Sequence, residues 1–339
     1  MALSVRRLSR AVVRPHEPTP NGLVNLSVID KLPDLRFDVR TLLVFKDGNE
    51  TCAKIIREAL SKALVPYYPL AGRLVVPQES SNEDDLHISC TGEGVWFVEA
   101  FADCTLDAEA PPPPPVPLMP HYQLKQASFD IAAHKIDQLK RQLSNSIGKP
   151  CSTFEVLTAG IWRSRTRAIN LNDSSINVKL VFYANISHLL NPPAPPGFYG
   201  NSIFPVRISV SSGWLVDAPL AEVVQIIKEA KAKIPTEFNN WIHGKGCGVD
   251  PYAIPLDYTT LSISDWTKLG LKDVDFGWGC PVNVAPVEIP VEIMTIQPFG
   301  FPCLPPKPRT GIRFMTWCVE ESHLPSFLHQ MMNLHAGLN

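Results

Sequence analysis

The spacing of apolar residues divides the chain into strand-like and helix-like segments. Between Thr51 and Leu64, apolar side chains recur at steps of three and four residues until Pro66, which predicts an amphipathic helix. The same periodicity predicts helices at 130–144, 152–168, 217–234 and 324–334. Runs of apolar and β-branched residues predict strands at 11–13, 24–28, 40–45, 125–131, 178–186, 203–210, 259–263 and 311–319. Strands and helices mixed in this order predict an α/β fold with mixed sheets flanked by helices.

Three local patterns add detail to these elements. Gly92-Glu93-Gly94 lies between strand-like stretches at 86–90 and 95–100 and predicts a β-hairpin. Asp130 is the expected N-cap of the helix that follows it. Ser152 and Glu155 form a capping-box pattern at the start of the next helix.

Composition predicts a folded, soluble chain and argues against nucleic acid, zinc, a disulfide framework and a membrane span. Its 339 residues are 45% hydrophobic, enough for about two domains. Against 33 Asp and Glu stand 31 Lys and Arg, so no basic field favours nucleic acid as a partner. The eight cysteines are dispersed without a CxxC spacing, which argues against both zinc and a disulfide framework. No apolar stretch approaches a membrane span of about 20 residues, and we expect a cytoplasmic protein without a membrane partner.

Proline is the unusual residue type. The chain has 33 prolines, roughly twice average usage, and they are densest from Pro111 to Pro120. So much proline favours an extended polyproline II strip. The strip could be a ligand for a proline-binding module or a connector. The connector is favoured because folded patterns resume on both sides.

The most specific motif is the string Asp275-Phe276-Gly277-Trp278-Gly279. Protein kinases also carry Asp-Phe-Gly, but this chain lacks both their glycine-rich loop and their His-Arg-Asp loop. Together with the run from Tyr67 to Leu74, the string resembles the plant BAHD family of acyl-CoA-dependent acyltransferases. Further matches follow in the family's order: 152–155 with Trp162-Arg163, 191–193 leading into 199–201, and Ser264-Asp265-Trp266.

The resemblance implies both a fold and a reaction. BAHD enzymes have a two-domain, chloramphenicol acetyltransferase-like fold with a channel between the domains. Residues 1–120 would be an incomplete first domain and 121–339 the second. Acyl-CoA is the co-substrate, a small-molecule hydroxyl or amine is the acceptor, and no metal is required. A histidine in a His-x-x-x-Asp motif acts as the general base. A monomer is expected.

The histidine motif is missing from this chain. None of the nine histidines has an aspartate four residues later. The nearest match is His134 with Asp137, and His134 fits better as a surface residue of its helix. We infer that roughly a hundred residues of the family pattern, including the base, are missing between Pro111 and His121.

No catalytic residue can therefore be named, and three hypotheses remain. The chain could be an acyltransferase impaired by loss of its base. It could instead be a non-catalytic module that binds acyl-CoA or a partner. It could also be a truncated splice or gene-model product, for which an exposed sheet edge and exposed apolar faces are predicted.

Other residues match stretches that lie near CoA or serve structure in the family. Ser152, Thr153, Tyr199, Gly200 and Asn201 are the candidate CoA-binding residues, although Ser152 is also explained as a helix cap. The arginines of the same helix, 163 to 167, could lie on its solvated face or contact a CoA phosphate.

The five residues of the Asp275–Gly279 motif are expected to be structural. In the family an arginine pairs with the aspartate of this string, but Ser187 and Leu189 occupy the matching positions here. His188 or Arg313 could replace that arginine, or Asp275 could be met by solvent or backbone N–H groups. The first 20 residues resemble the subgroup of benzyl-alcohol, taxane and hydroxycinnamoyl transferases.

Overall fold

The structure, a computed structural model, describes residues 4–36, 39–77, 85–103, 124–194, 197–245, 250–288 and 297–334. Its α-helices are α1 (Cys52–Ala63), α2 (Ala133–Ile147), α3 (Thr153–Ile169), α4 (Ser212–Asp217), α5 (Leu220–Ile242) and α6 (Leu324–Met332). Its strands are β1 (Val5–Val13), β2 (Leu23–Asn25), β3 (Arg40–Val44), β4 (Arg73–Val75), β5 (His87–Ser89), β6 (Val95–Ala102), β7 (Leu124–Ala132), β8 (Asn177–Asn185), β9 (Ile203–Ser211), β10 (Thr260–Ile263), β11 (Asn283–Glu288), β12 (Phe299–Cys303) and β13 (Gly311–Glu320). The run from Pro111 to Pro120 lies outside the described residues.

A mixed six-stranded sheet forms the centre of the C-terminal half. Its strand order is β7-β13-β12-β10-β8-β9. Strand β10 runs parallel to β8 and β12, whereas the other neighbours are antiparallel. This arrangement confirms the expectation of a mixed sheet within an α/β fold.

The helices cover one face of this sheet and form the main core with it. Alternate residues of β8, such as Leu180 and Phe182, are buried against the helices. Helix α3 packs against α5 and α6 and is buried on nearly all sides, with Trp162 fully enclosed. The predicted core positions Ile136, Leu139 and Leu143 of α2 are confirmed as buried.

The opposite face of the sheet carries a separate aromatic cluster. The residues of β12 and β13 that point away from the helices pack on one another: Phe299, Phe301, Cys303, Met315 and Trp317. Tyr183 and Trp266 pack at its margin. No described helix belongs to this cluster, which is a second, smaller core on the far side of the sheet.

The N-terminal half contains smaller sheets. Strands β1 and β6 form a two-stranded ribbon, and β2, β5 and β4 form a three-stranded sheet. Helix α1 packs on the ribbon through Leu64 and Leu60, which meet Val13 and Phe97. Strand β3 pairs with β11, so the chain returns late in its sequence to join the N-terminal half.

The hairpin predicted around Gly92-Glu93-Gly94 is wrong. Strand β5 pairs with β2 and β4, whereas β6 pairs with β1. Gly92 and Gly94 have φ of +65° and +89°, so the chain does turn, but it crosses between two sheets. A Cβ at Gly94 would lie 2.2 Å from the carbonyl oxygen of Val13, which explains why glycine occupies this close approach.

The prediction of Asp130 as a helix cap is also wrong. Ala132 is the N-cap of α2, and Asp130 lies in β7 opposite Arg313. Its carboxylate accepts hydrogen bonds from Arg313 at 2.7 and 3.0 Å and from Arg309 at 2.9 Å. The bonds from Arg313 are the main cause of the lowered pKa of Asp130. The cross-strand ion pair therefore takes the side chain that a cap would use.

Helix α5 differs from its prediction at both ends. Residues 212–217 form the separate helix α4, and α5 continues beyond residue 234 through Pro235 to Ile242. Proline interrupts a helical hydrogen bond, which is why the pattern predicts an end there. The extension is held by packing, since Phe238 and Trp241 contact Phe204 and Tyr252.

The described ranges contain neither a membrane-spanning helix nor a cluster of metal-ligating side chains. No helix in them is long and apolar enough to cross a bilayer. No group of three or more His, Cys, Asp or Glu side chains in them is placed to hold a metal ion.

Candidate functional site

The candidate residues Tyr199, Gly200 and Asn201 form a loop that enters β9. Asp30 holds this loop from the N-terminal half, because its Oδ1 accepts a hydrogen bond from the Asn201 amide at 2.9 Å. Its other oxygen, Oδ2, accepts from the Ser27 hydroxyl at 2.7 Å. A Cβ at Gly200 would lie 3.0 Å from Asp30 Oδ2 and 2.6 Å from the Phe198 ring, so a larger residue would displace these two side chains.

Aromatic rings lie around the same loop. Tyr199 meets Tyr67 edge to face with ring centroids 5.7 Å apart, and its ring stacks with that of Phe198. Tyr199 is 44% exposed and Phe198 38% exposed. Two separate sequence motifs, 67–74 and 199–201, therefore meet here. Together the two exposed rings can stack on a planar ligand group.

Ser152 acts as the helix cap that its sequence predicts. Its hydroxyl accepts from the Glu155 amide at 3.2 Å, and the Glu155 carboxylate accepts from the Ser152 amide at 2.9 Å. Thr153 is the first residue of α3. These contacts lie at the start of α3, whereas the loop from Tyr199 to Asn201 contacts Asp30 and Tyr67. The two candidate sets thus have different neighbours.

Glu155 also joins α3 to α5. Its carboxylate lies 3.0 Å from Lys228 Nζ and 2.6 Å from Lys231 Nζ. Burial alone would raise the pKa of Glu155, but the hydrogen bonds from Lys231, the Ser152 amide and Lys228 outweigh it and lower the pKa to about 2.

We expect the ion pairs of Glu155 with Lys228 and Lys231 to make the free energy of unfolding depend on pH. The depressed pKa stabilises the fold fully above the ordinary value of 4.5, and the contribution is lost as pH falls towards about 2. Between about pH 6 and about pH 3 the loss is about 1–2 kcal/mol after allowance for solvent screening. Urea unfolding at about pH 6 and about pH 3 measures it, and a Glu155→Gln variant should show a correspondingly smaller difference. An equal difference in the variant would contradict the assignment.

Two of the three arginines of α3, Arg163 and Arg165, are buried rather than solvated. The Arg163 guanidinium is buried and donates to the Ala218 carbonyl at 3.1 Å. Arg165 is fully buried, and Arg167 donates to the Val216 carbonyl at 3.0 and 2.5 Å. Both expectations are therefore wrong for Arg163 and Arg165, because α3 is enclosed on nearly every side. Arg167 is half-buried, and its contact with a CoA phosphate stays a prediction. Burial lowers the pKa of Arg163 to about 10, so it remains charged at neutral pH.

The Asp275–Gly279 loop is built by its own backbone. Asp275 is exposed, and its Oδ1 accepts from the amides of Gly277 at 2.7 Å and Gly279 at 3.0 Å. Those glycines have φ of +102° and +95°, a conformation that aims both amides at one oxygen. Of the partners considered for Asp275, the backbone N–H groups are confirmed. The proposal of Arg313 is wrong because Arg313 pairs with Asp130.

The two aromatic residues of this loop anchor it to the N-terminal half. Phe276 and Trp278 stack on each other and both meet Phe45 edge to face, at 5.9 and 6.1 Å between ring centroids. Phe45 directly follows β3, which pairs with β11. The motif thus packs beside the pairing of β11 with β3.

The described histidines differ in how sheltered they are. His134 is exposed on α2, as the sequence predicts. His87 is sheltered and lies 3.3 Å from Asp85, which also contacts Lys31 at 3.3 Å. His323 lies 3.1 Å from the Tyr258 hydroxyl, which in turn accepts from the Glu320 amide. Their neighbours already hold these two rings in place.

Sequence reasoning missed a polar group on the aromatic face of the large sheet. Gln297 and Ser262 are buried, and the Gln297 amide donates to the Ser262 hydroxyl. The Tyr183 hydroxyl hydrogen-bonds Ser262 as well, but burial dominates and raises the Tyr183 pKa to about 12. Tyr183 therefore keeps its proton at neutral pH. The alternation of side chains along β10 could have revealed this group, because it places Ser262 on the face of the sheet opposite the helices.

Comparison with known sequences places the chain among plant acyltransferases. The model of the Transferase family matches residues 3–110 and 112–298. Acyl transferase 4 of Oryza sativa subsp. japonica is 32% identical, with 98% of this chain and 99% of the relative covered. A taxol N-benzoyltransferase, 3'-N-debenzoyl-2'-deoxytaxol N-benzoyltransferase of Taxus canadensis, is 28% identical over 95% of this chain and 94% of its own.

The alignment with rice acyl transferase 4 is longer than this chain, as expected if a segment of the family pattern is missing. The alignment with the rice protein spans 441 positions, whereas this chain has 339 residues, so about a hundred positions of the relative have no counterpart here. The interruption in the family match falls at residue 111, within the proline-rich run.

Solved structures share the fold. Vinorine synthase aligns with a TM-score of 0.73 at 18% identity and covers 98% of both chains. TRI101 of F. sporotrichioides, complexed with coenzyme A and T-2, aligns with a TM-score of 0.66 at 13% identity over 91% of this chain and 97% of its own. The expected α/β fold, with a mixed sheet flanked by helices, is thereby confirmed. With a family match over most of its length, the chain belongs to the Transferase family of BAHD acyltransferases.

Proposed function

We propose that this chain is a member of the acyl-CoA-dependent acyltransferases in which acyl transfer is strongly impaired. Its co-substrate would be acyl-CoA, and its acceptor would be a hydroxyl or amine of a small plant metabolite. We place it in the cytoplasm as a metal-independent monomer with an incomplete first domain at 1–120 and a second domain at 121–339. The observation that carries the impairment is the lack of any histidine with an aspartate four residues later.

The reaction explains why one missing group matters so much. The acceptor oxygen or nitrogen attacks the thioester carbonyl, its proton passes to a base, and CoA leaves as the thiol. A positioned general base contributes about 10²–10⁴-fold to such a step. His87 and His323, the sheltered histidines of the described ranges, contact Asp85 and Tyr258 instead. Binding can therefore persist while the chemical step is slow.

Purified chain offered acetyl-CoA, benzoyl-CoA or caffeoyl-CoA with hydroxylated acceptors should release CoA no faster than denatured protein. Chromatographic quantification of CoA and ester is the suitable measurement, because the protein's eight cysteines would interfere with a thiol reagent. Rice acyl transferase 4 prepared in parallel serves as the comparison. Turnover at ordinary enzyme rates, about 1 s⁻¹ or more, would refute the impairment.

A second candidate function is acyl-CoA binding without turnover, and the Asp30-anchored loop favours it. The exposed rings of Phe198 and Tyr199 offer a stacking surface for the adenine of CoA. Loss of the Asp30 contacts would let the loop fluctuate.

An Asp30→Ala variant should weaken CoA binding about tenfold, because ordering the loop would then oppose binding. Isothermal titration with CoA measures this effect. Asp47→Ala, a change at an exposed aspartate, is the matched control. Equal affinity of the two variants would exclude the loop, and absence of binding to the unchanged chain at millimolar CoA would exclude this candidate function.

A truncated splice or gene-model product is the remaining alternative. The exposed apolar side chains of β1 and β6 support it, since such faces favour aggregation. Cooperative thermal unfolding of a soluble monomer would count against it.

A further inference from the structure

One face of the β1–β6 ribbon packs on α1 near Val13 and Val95, although Phe101 at its far end is 54% exposed. The described residues leave the other face exposed. The register of the ribbon places Val12 beside Trp96 and Arg10 beside Val98 on the same face. We call this side of the ribbon the outer face; it comprises Val5, Arg7, Leu8, Arg10, Val12, Trp96, Val98 and Ala100. Trp96 is 61% exposed, Leu8 50% and Val98 48%.

The inner face accounts for the packing of the ribbon. A small core is formed by Val13, Val95 and Phe97 with Leu60 of α1 and Leu64 directly after it. The Arg57 guanidinium also lies over the Phe97 ring at 5.5 Å. The large apolar side chains of the outer face, such as Trp96, Leu8 and Val98, are thus not part of this core.

The charge on the outer face has one sign. Arg7 and Arg10 are both exposed there, and the Arg10 guanidinium lies 3.9 Å above the Trp96 ring. The carboxylate of the ribbon, Glu99, lies on the inner face beside Ser9, whose hydroxyl donates to it at 3.3 Å. The outer face therefore combines aliphatic groups, an indole and two cations without an acidic side chain.

These features select one kind of partner. A second copy docked face to face would bring the arginines of both chains together, at an electrostatic cost. A bilayer surface rich in anionic lipids offers phosphates to the arginines and an interfacial layer to Trp96, which suits its amphipathic indole. We propose that the outer face docks this protein peripherally on membranes that contain anionic lipids. Such docking involves no spanning segment, so it is compatible with the lack of an apolar span in the sequence.

Flotation of the full chain with vesicles tests this proposal. We expect binding to vesicles of phosphatidylcholine with about a third phosphatidylserine to be at least about tenfold stronger than to phosphatidylcholine alone. Raising the salt from about 0.1 M to about 0.5 M should release much of the bound protein. Equal binding to both vesicle types, or no binding to either, would overturn the proposal without reference to any variant.

Variants separate the outer face from general stickiness. The double change Arg7→Glu and Arg10→Glu should reduce binding at least about tenfold, and Trp96→Ser with Val98→Thr should reduce it several-fold. Arg141→Glu on α2 and Leu74→Thr on β4 alter similarly exposed residues elsewhere and should leave binding unchanged. Circular dichroism verifies folding of each variant. Self-association through Trp96 without vesicle binding would assign the face to a second copy instead.

Discussion

Arg165→Met should lower the free energy of unfolding by about 3–5 kcal/mol. Arg165 is fully buried in α3, where its Nε donates to the Cys318 carbonyl at 2.6 Å and an Nη donates to the Tyr258 carbonyl at 2.5 Å. Its guanidinium also lies 4.8 Å from the Tyr258 ring centroid. Methionine fills much of the volume but leaves both buried carbonyls without this donor, and each hydrogen bond to a charged donor is worth about 1.5–3 kcal/mol.

Urea unfolding followed by tryptophan fluorescence measures this loss. Arg141→Met is the matched control, because Arg141 is exposed on α2 and its change should stay within about 0.5 kcal/mol. Arg165→Lys should fall between the two, since an ammonium group lacks the fork that reaches both carbonyls. If Arg165→Met were as stable as Arg141→Met, these hydrogen bonds would not join α3 to β13.

The arginines of α3 also show where prediction from sequence fails. A local pattern identifies the helix and its capping box, since Ser152 and Glu155 are three residues apart and need no distant partner. It also identifies the buried stripe of α2. The partners of Arg165 come from positions 258 and 318, far along the chain. Charge alone predicts a solvated side chain, and only the tertiary fold can reverse that expectation.

Strand pairing has the same limitation. The strands on either side of Gly92 and Gly94 are present, but each pairs with a strand that is distant in sequence. The structural role of the motif around Asp275 stays a prediction, and its packing on Phe45 depends on the pairing of β3 with β11. Local sequence patterns therefore predict helices, strands and caps, whereas the tertiary fold decides which strands pair.

Restoring the missing segment should have the largest effect on activity. In this experiment the roughly hundred residues of rice acyl transferase 4 that have no counterpart here are inserted between Pro111 and His121. We expect the chimera to release CoA about 10²–10⁴-fold faster than the unchanged chain, because a positioned base contributes that much. Chromatographic detection of the ester with the panel of acyl-CoA donors gives the rate.

The control is the same chimera with the inserted motif's histidine changed to alanine, which should return the rate to that of the unchanged chain while leaving the fold intact. Equal rates in the two chimeras would show that the base was not what the chain lacked.

The same chimera also tests how the first domain packs. If the inserted segment completes the first domain, Trp96 and Val98 become buried. Iodide quenching of Trp96 and vesicle binding should then fall together, because the same exposed face accounts for both.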